Sequence, residues 1–302
     1  MNIPGRTFGF SRVPGPGERR PRRAAYVLPT LFTSGNIFLG FLAILKAFEG
    51  ALDITAGHTG VNPNFIIAAK AIGWAVLLDG LDGRIARMTN TVSDFGREMD
   101  SLADVITFGI APAVLGFAWG VQFVGPGGFL PDHRAGYFVA FLFLLCGAAR
   151  LARFNVQTNP KPKNPGRPDR KYFVGLPIPA AAGMVAAVVY ALDCIPLQFW
   201  AASAVWLALL GLLSFLMVST WRYPSFKEIN FLKPRSPLLL ILLGSLVYLV
   251  WIFSQYVLLV LATTYVGSGI AIRLGGIFRR LVLRRNRSVE PAQQPAPEPP
   301  LG

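Results

Sequence analysis

198-QFWAASAVWLALLGLLSFLMVS-219 runs for 22 residues without one charged side chain. Wound as a helix it would rise roughly 33 Å, enough to cross a bilayer core of about 30 Å. Working outward, similar apolar runs recur at 30–47, 64–82, 100–122, 136–155, 177–193, 237–252 and 256–272. Over the 302 residues, 53% are hydrophobic and only 15% charged, and the mean hydropathy is +0.49. A soluble domain carries about 25% charged residues, so this chain cannot clothe its apolar content in water. The expected fold class is an all-α polytopic integral membrane protein with about eight transmembrane helices, or six if 237–272 folds differently.

The basic residues orient these spans. Net charge is +14, from 29 Lys and Arg against 15 Asp and Glu. Every second connecting segment, together with both tails, holds all the basic residues except Lys46, Lys70 and Arg134. That asymmetry places both termini in the cytoplasm and makes the span count even. The charge is therefore read as orientation and attraction to anionic membrane lipid, with no nucleic acid partner. Residues 1–25 form a basic N-terminal tail without the short apolar region and cleavage site of a signal peptide, so the first span is expected to be retained. Residues 26–236 are read as the membrane domain, 237–272 as two additional C-terminal helices, and 273–302 as a basic, then Pro/Glu-rich, disordered tail. The 252–256 link is expected to be a hairpin between the last two spans. Cys146 and Cys194 sit in apolar runs and build no disulfide framework. His58 and His133 are the only histidines, which argues against His-centred catalysis.

One stretch breaks the apolar pattern: 79-DGLDGRIARMTNTVSDFGREMDSLAD-104. Asp79 and Asp82 are i,i+3 at the cytoplasmic end of the second span. Asp100 and Asp104 are i,i+4 at the start of the third. Both spacings place a pair of carboxylates on one helix face. Antiparallel helices joined by a short loop would set the pairs opposite each other, where four negative charges repel unless a cation lies between them. Hard divalent ions suit oxygen ligands, and a metal pair can clamp a phosphoryl displacement. Gly83 and Ala86 leave room for a ligand near the backbone, Gly96 precedes the second pair, and Arg87 is a fork donor suited to phosphate. One Asp near a helix end is ordinarily a cap or a solvated group, and Asp94 and Glu98 are read that way.

The segment fits D-x2-D-G-x2-A-R-x8-G-x3-D-x3-D at every fixed position, and so resembles the signature of the CDP-alcohol phosphatidyltransferase family. The resemblance implies a helical homodimer dependent on two divalent cations, Mg²⁺ or Mn²⁺. It further implies that Asp79, Asp82, Asp100 and Asp104 bind the metals, that Asp104 is the general base, and that Gly83, Ala86, Arg87 and Gly96 contact the CDP group. The stretches 28-LPTLFTSGNIFLGFLAI-44, 150-RLARFN-155, 173-FVGLPIPAAAG-183 and 216-LMVSTWRYPSFK-227 are similar to the bacterial phosphatidylserine synthase branch. That implies CDP-diacylglycerol and L-serine as substrates and an inner-membrane enzyme with a cytoplasmic active site. Thr33 and Asn36 are candidates for cytidine or ribose, although helix–helix hydrogen bonding would also explain them. Arg150, Arg153 and Asn155 are candidates for the acceptor, or else positive-inside anchors. The alternatives are another acceptor (glycerol 3-phosphate, an inositol phosphate or choline) or a cation transporter, whose site would ordinarily lie nearer the bilayer midplane.

Overall fold

The computed structural model describes residues 24–58, 60–89, 94–124, 133–158, 172–224, 244–245 and 248–287. Side chains are described from Thr30 onward, without those of 82–89, Asp94, 157–158, 172–173, 222, 224 and 276–287. Within these residues the chain forms α1 (Ala24–Thr55), α2 (Pro63–Thr89), α3 (Asp94–Asp104), a π-helical segment (Val105–Ile110) and α4 (Ala111–Gly120). It continues with α5 (Arg134–Thr158), β1 (Tyr172–Val174), α6 (Ile178–Ala191), α7 (Trp200–Val218), β2 (Arg222–Pro224) and α8 (Ser254–Arg287).

Among the described residues, five helical stretches are long and apolar enough to cross a membrane: Pro63–Leu81, Phe95–Gly120, Arg134–Val156, Trp200–Val218 and Ser254–Gly275. The protein is a multi-pass helical membrane protein. The expected first span, 30–47, lies inside the 32-residue α1.

Local sequence explains the helix ends. Pro63 opens α2 where a missing N–H costs nothing, and the Asn62 side-chain oxygen accepts from the N–H groups of Asn64 (2.9 Å) and Phe65 (3.3 Å). The Asn62 amide also donates to the Gly50 carbonyl (3.1 Å), tying that cap to α1. Beyond it, Ala43, Ala47 and Ala51 of α1 are buried at i,i+4 spacing, as are Ala68, Ala71, Ile72 and Ala75 of α2. Small residues of this kind let two backbones approach closely where lipid offers no hydrophobic drive. Trp206 of α7 is likewise a core residue rather than an interfacial one. Its indole donates to the Gly116 carbonyl (2.8 Å) and meets Trp119 edge-on at 5.0 Å, while Gly120 leaves space for its ring.

Three expectations are corrected. The 177–193 span is the 14-residue α6, only about 21 Å long, and largely buried. It ends early because Asp193 and Cys194 take positive φ (54° and 55°), with their N–H groups bonded to Tyr190 and Val189 carbonyls. The 252–256 hairpin is a one-residue break at Phe253, whose N–H bonds Leu249 and whose carbonyl accepts from Val257. And α8 runs on to Arg287, so the basic segment after 273 continues the last helix. Most of 237–247, including much of the expected seventh span, lies outside the described residues.

Two three-residue strands were not expected. β1 and β2 pair antiparallel with Phe173 opposite Tyr223. Gly175 follows β1 at φ +79°, and its N–H bonds the Trp221 carbonyl (2.8 Å). A Cβ there would stand 2.6 Å from the Met217 carbonyl oxygen, so glycine serves both the left-handed backbone and the close approach. The ribbon gathers the loop entering α6 and the segment leaving α7 beside α8.

Candidate active site

Asp79 lies at the end of the apolar stretch of α2, ten residues before that helix stops, and Asp100 and Asp104 stand one turn apart on α3. Their carboxylate oxygens come within 4.8 Å of one another. Asp104 is buried and the other two are half-buried. At that separation each pair of like charges repels by roughly 3.5 kcal/mol at an effective dielectric near 20. The buried Arg150 of α5, within electrostatic reach of Asp79 and Asp104, offsets part of it. Three oxygen donors with no sulfur or imidazole among them fit a hard divalent cation.

Asp104 is the last α-helical residue before the π segment, a change that nothing in the local pattern announces. π segments often mark functional sites, because the extra residue per turn re-aims the side chains on either side. Thr107, inside the segment, donates to the backbone carbonyl of Asn36 on α1 (3.0 Å). Gly40, one turn along α1, lies directly against Thr107. This contact sets the depth of α1 beside Asp104. The Asn36 side chain is fully buried, and neither its amide nitrogen nor its oxygen is hydrogen-bonded among the described residues, an arrangement that a bound ligand would relieve. Thr33, also buried, lies one turn earlier.

The three acceptor candidates separate in space. Arg150 faces the aspartates. Arg153 instead donates to the Val218 carbonyl at the C-terminal end of α7 (3.1 Å), where a cation meets the negative end of a helix dipole. Asn155 donates to Ser101 Oγ (2.8 Å), which in turn donates to the Arg97 carbonyl (3.0 Å), so it braces α3 next to Asp100. Gly96 lies in α3, one turn before Asp100. Asp82, Gly83, Ala86 and Arg87 lie in the last turns of α2, and their side chains fall outside the described residues. Two tyrosines not named as candidates join this region: Tyr223, within the 216–227 stretch, and Tyr265. Their rings lie 5.9 Å apart, with Tyr265 in electrostatic reach of Arg150. Nothing in the local pattern of Tyr265 distinguishes it from an interfacial aromatic.

Residues 26–216 match the family model described as CDP-alcohol phosphatidyltransferase. A CDP-diacylglycerol–serine O-phosphatidyltransferase of Helicobacter pylori is 36% identical over 269 residues, covering 89% of this chain and 99% of that protein. One of the same description from Bacillus subtilis is 30% identical over 204 residues, 67% of this chain and 92% of that protein. An archaetidylserine synthase of Methanothermobacter thermautotrophicus is 38% identical over 157 residues, 51% of this chain and 54% of that protein. With an aspartate cluster at the head of two apolar helices and a family match over most of its length, the chain belongs to the CDP-alcohol phosphatidyltransferases.

Proposed function

We propose that the chain transfers the phosphatidyl group of CDP-diacylglycerol to the hydroxyl of L-serine, giving phosphatidylserine and CMP. The carrying observation is the convergence of Asp79, Asp100 and Asp104 beside a buried arginine, in a chain that aligns with nearly all of a serine phosphatidyltransferase. Asp104 is suited to accept the serine hydroxyl proton. As that proton leaves, the serine oxygen bonds the phosphorus bearing diacylglycerol, the bond from that phosphorus to the CMP phosphate oxygen breaks, and CMP departs. Arg150 holds the acceptor carboxylate so that the hydroxyl points at the reacting phosphorus. Asn36 and Thr33, with Gly83, Ala86, Arg87 and Gly96, form the side that takes the CDP group. Asp79, Asp82, Asp100 and Asp104 would hold two divalent cations, Mg²⁺ or Mn²⁺, whose chemistry when bound is to neutralise diphosphate charge and ease hydroxyl deprotonation.

The basic asymmetry of the connecting segments supports an even number of spans with both termini and the active site on the cytoplasmic side of the inner membrane. The proposed unit of function is a homodimer whose catalytic part is 26–236. The test is CMP release by purified protein given CDP-diacylglycerol and Mg²⁺ or Mn²⁺ with serine, glycerol 3-phosphate, inositol phosphate or choline. Release with serine alone supports the assignment, and release only with another alcohol overturns serine as the acceptor.

A further inference from the structure

The family match ends at residue 216, yet the wall of the site does not. Arg153 reaches the Val218 carbonyl, and four residues beyond that contact the chain enters β2. Tyr223 of β2 is fully buried. Its ring lies against Gly269 of α8, where any Cβ would overlap it, and packs at a tilt against Tyr265 one turn earlier on the same helix. Tyr265 lies within electrostatic reach of Arg150. The chain thus leads from the aspartates through Arg150 to two phenols supplied by elements outside the shared family segment.

Two polar groups on this path are unsatisfied. The Tyr223 hydroxyl and the Arg150 Nε–H are both buried without a hydrogen-bond partner among the described residues. A tyrosine buried only for packing ordinarily bonds its hydroxyl, because an orphaned polar group is costly. The two groups are linked through Tyr265, whose ring packs on Tyr223 and which lies within electrostatic reach of Arg150, and an anionic oxygen would complete both. Burial pushes the Tyr223 phenol up to about 12, so at neutral pH it carries its proton and donates.

We propose that Tyr223 is an acceptor-binding residue, its hydroxyl hydrogen-bonding the acceptor carboxylate together with Arg150, and that Tyr265 is a positioning residue holding its ring. That the anion is a carboxylate rests on serine being the acceptor. The division of labour is chemical: 26–216 handles the CDP group common to the family and supplies Arg150, and β2 with α8 completes the contact that selects the alcohol.

The test is steady-state CMP release by full-length Tyr223→Phe, Tyr265→Phe and Tyr265→Ala. Tyr223→Phe keeps the ring and its packing, and should raise the serine KM about 10- to 100-fold, the loss expected for one hydrogen bond to a charged group. The KM for CDP-diacylglycerol should stay within twofold. Inhibition by glycerate, which keeps the carboxylate, should weaken in Tyr223→Phe, whereas inhibition by ethanolamine, which lacks it, should not. Tyr265→Phe should stay close to wild type, and Tyr265→Ala should raise the serine KM alone. An unchanged serine KM in Tyr223→Phe, or an equal rise in both KM values, overturns the proposal. If wild type uses another alcohol and not serine, the serine assignment fails by itself, and Tyr223 is judged on the KM of that alcohol. Release with no acceptor overturns both.

Discussion

Gly40→Ala tests whether the α1 contact with the π segment holds Asp104 in place. The added Cβ would stand 2.5 Å from Thr107 Oγ1, 2.9 Å from its Cβ and 2.7 Å from its Cα. The hydroxyl could rotate away by giving up its bond to the Asn36 carbonyl. The Cα cannot, so the two segments must part by about 0.7 Å to restore an ordinary contact near 3.4 Å, an overpacking of the kind that costs roughly 1–3 kcal/mol. Thr107 is three residues from Asp104, and that movement passes into the carboxylate that receives the proton. Because a misplacement of about 1 Å can cost about a hundredfold, kcat should fall at least roughly tenfold. CMP release and the thermal midpoint, measured on the same preparation, give both numbers. A variant with kcat within twofold of wild type and an unchanged midpoint would refute the reasoning.

Asp104→Asn should abolish CMP release while CDP-diacylglycerol still binds, and full activity would remove Asp104 as the base. Arg150→Lys keeps a charge but loses the fork, so it should raise the serine KM about tenfold or more with less effect on kcat; a KM unchanged within twofold would place the carboxylate elsewhere. Cys194 has its thiol pushed up to about 12, mainly by burial and then by Asp193. Its raised folded value means stability is intact below about pH 9, where an unfolded thiol begins to ionise, and declines from there toward pH 12. Melting curves of wild type should therefore fall more steeply between pH 8 and 10.5 than those of Cys194→Ala, and equal slopes would contradict the burial argument. Removing divalent ions with a chelator should stop CMP release, and added Mg²⁺ or Mn²⁺ should restore it.

The aspartate cluster was legible because its parts are local. Helical spacing puts Asp100 and Asp104 on one face, and a short return between adjacent helices brings Asp79 to meet them. The apolar runs were legible for the same reason, since length and hydropathy are properties of a segment. What escaped is what one segment does to another. Arg150 and Arg153 are chemically identical and one turn apart, yet one faces carboxylates and the other covers the end of α7, a distinction made only by where α7 stops. The bond from Asn155 to Ser101 across the bundle escaped as well, because nothing local reveals it. The short strands escaped because three residues carry too little alternation to register, and Tyr265 because an aromatic in an apolar run has the same signature whether it meets lipid or substrate. The 216–227 stretch contains Tyr223 but does not say which of its side chains turns inward.

The π segment has a further consequence for how this helix could have arisen. A site that needs Asp100 and Asp104 turned one way, and a membrane core that needs Leu115 and Trp119 buried another, make incompatible demands on one regular helix. An inserted residue acts as a swivel between the two halves, letting the chemical end keep its spacing while the packing end drifts. Deleting one residue between 105 and 110 would lock that swivel, rotating the halves by about 100° relative to each other. Either the carboxylates would leave the site or the buried tryptophan would leave the core.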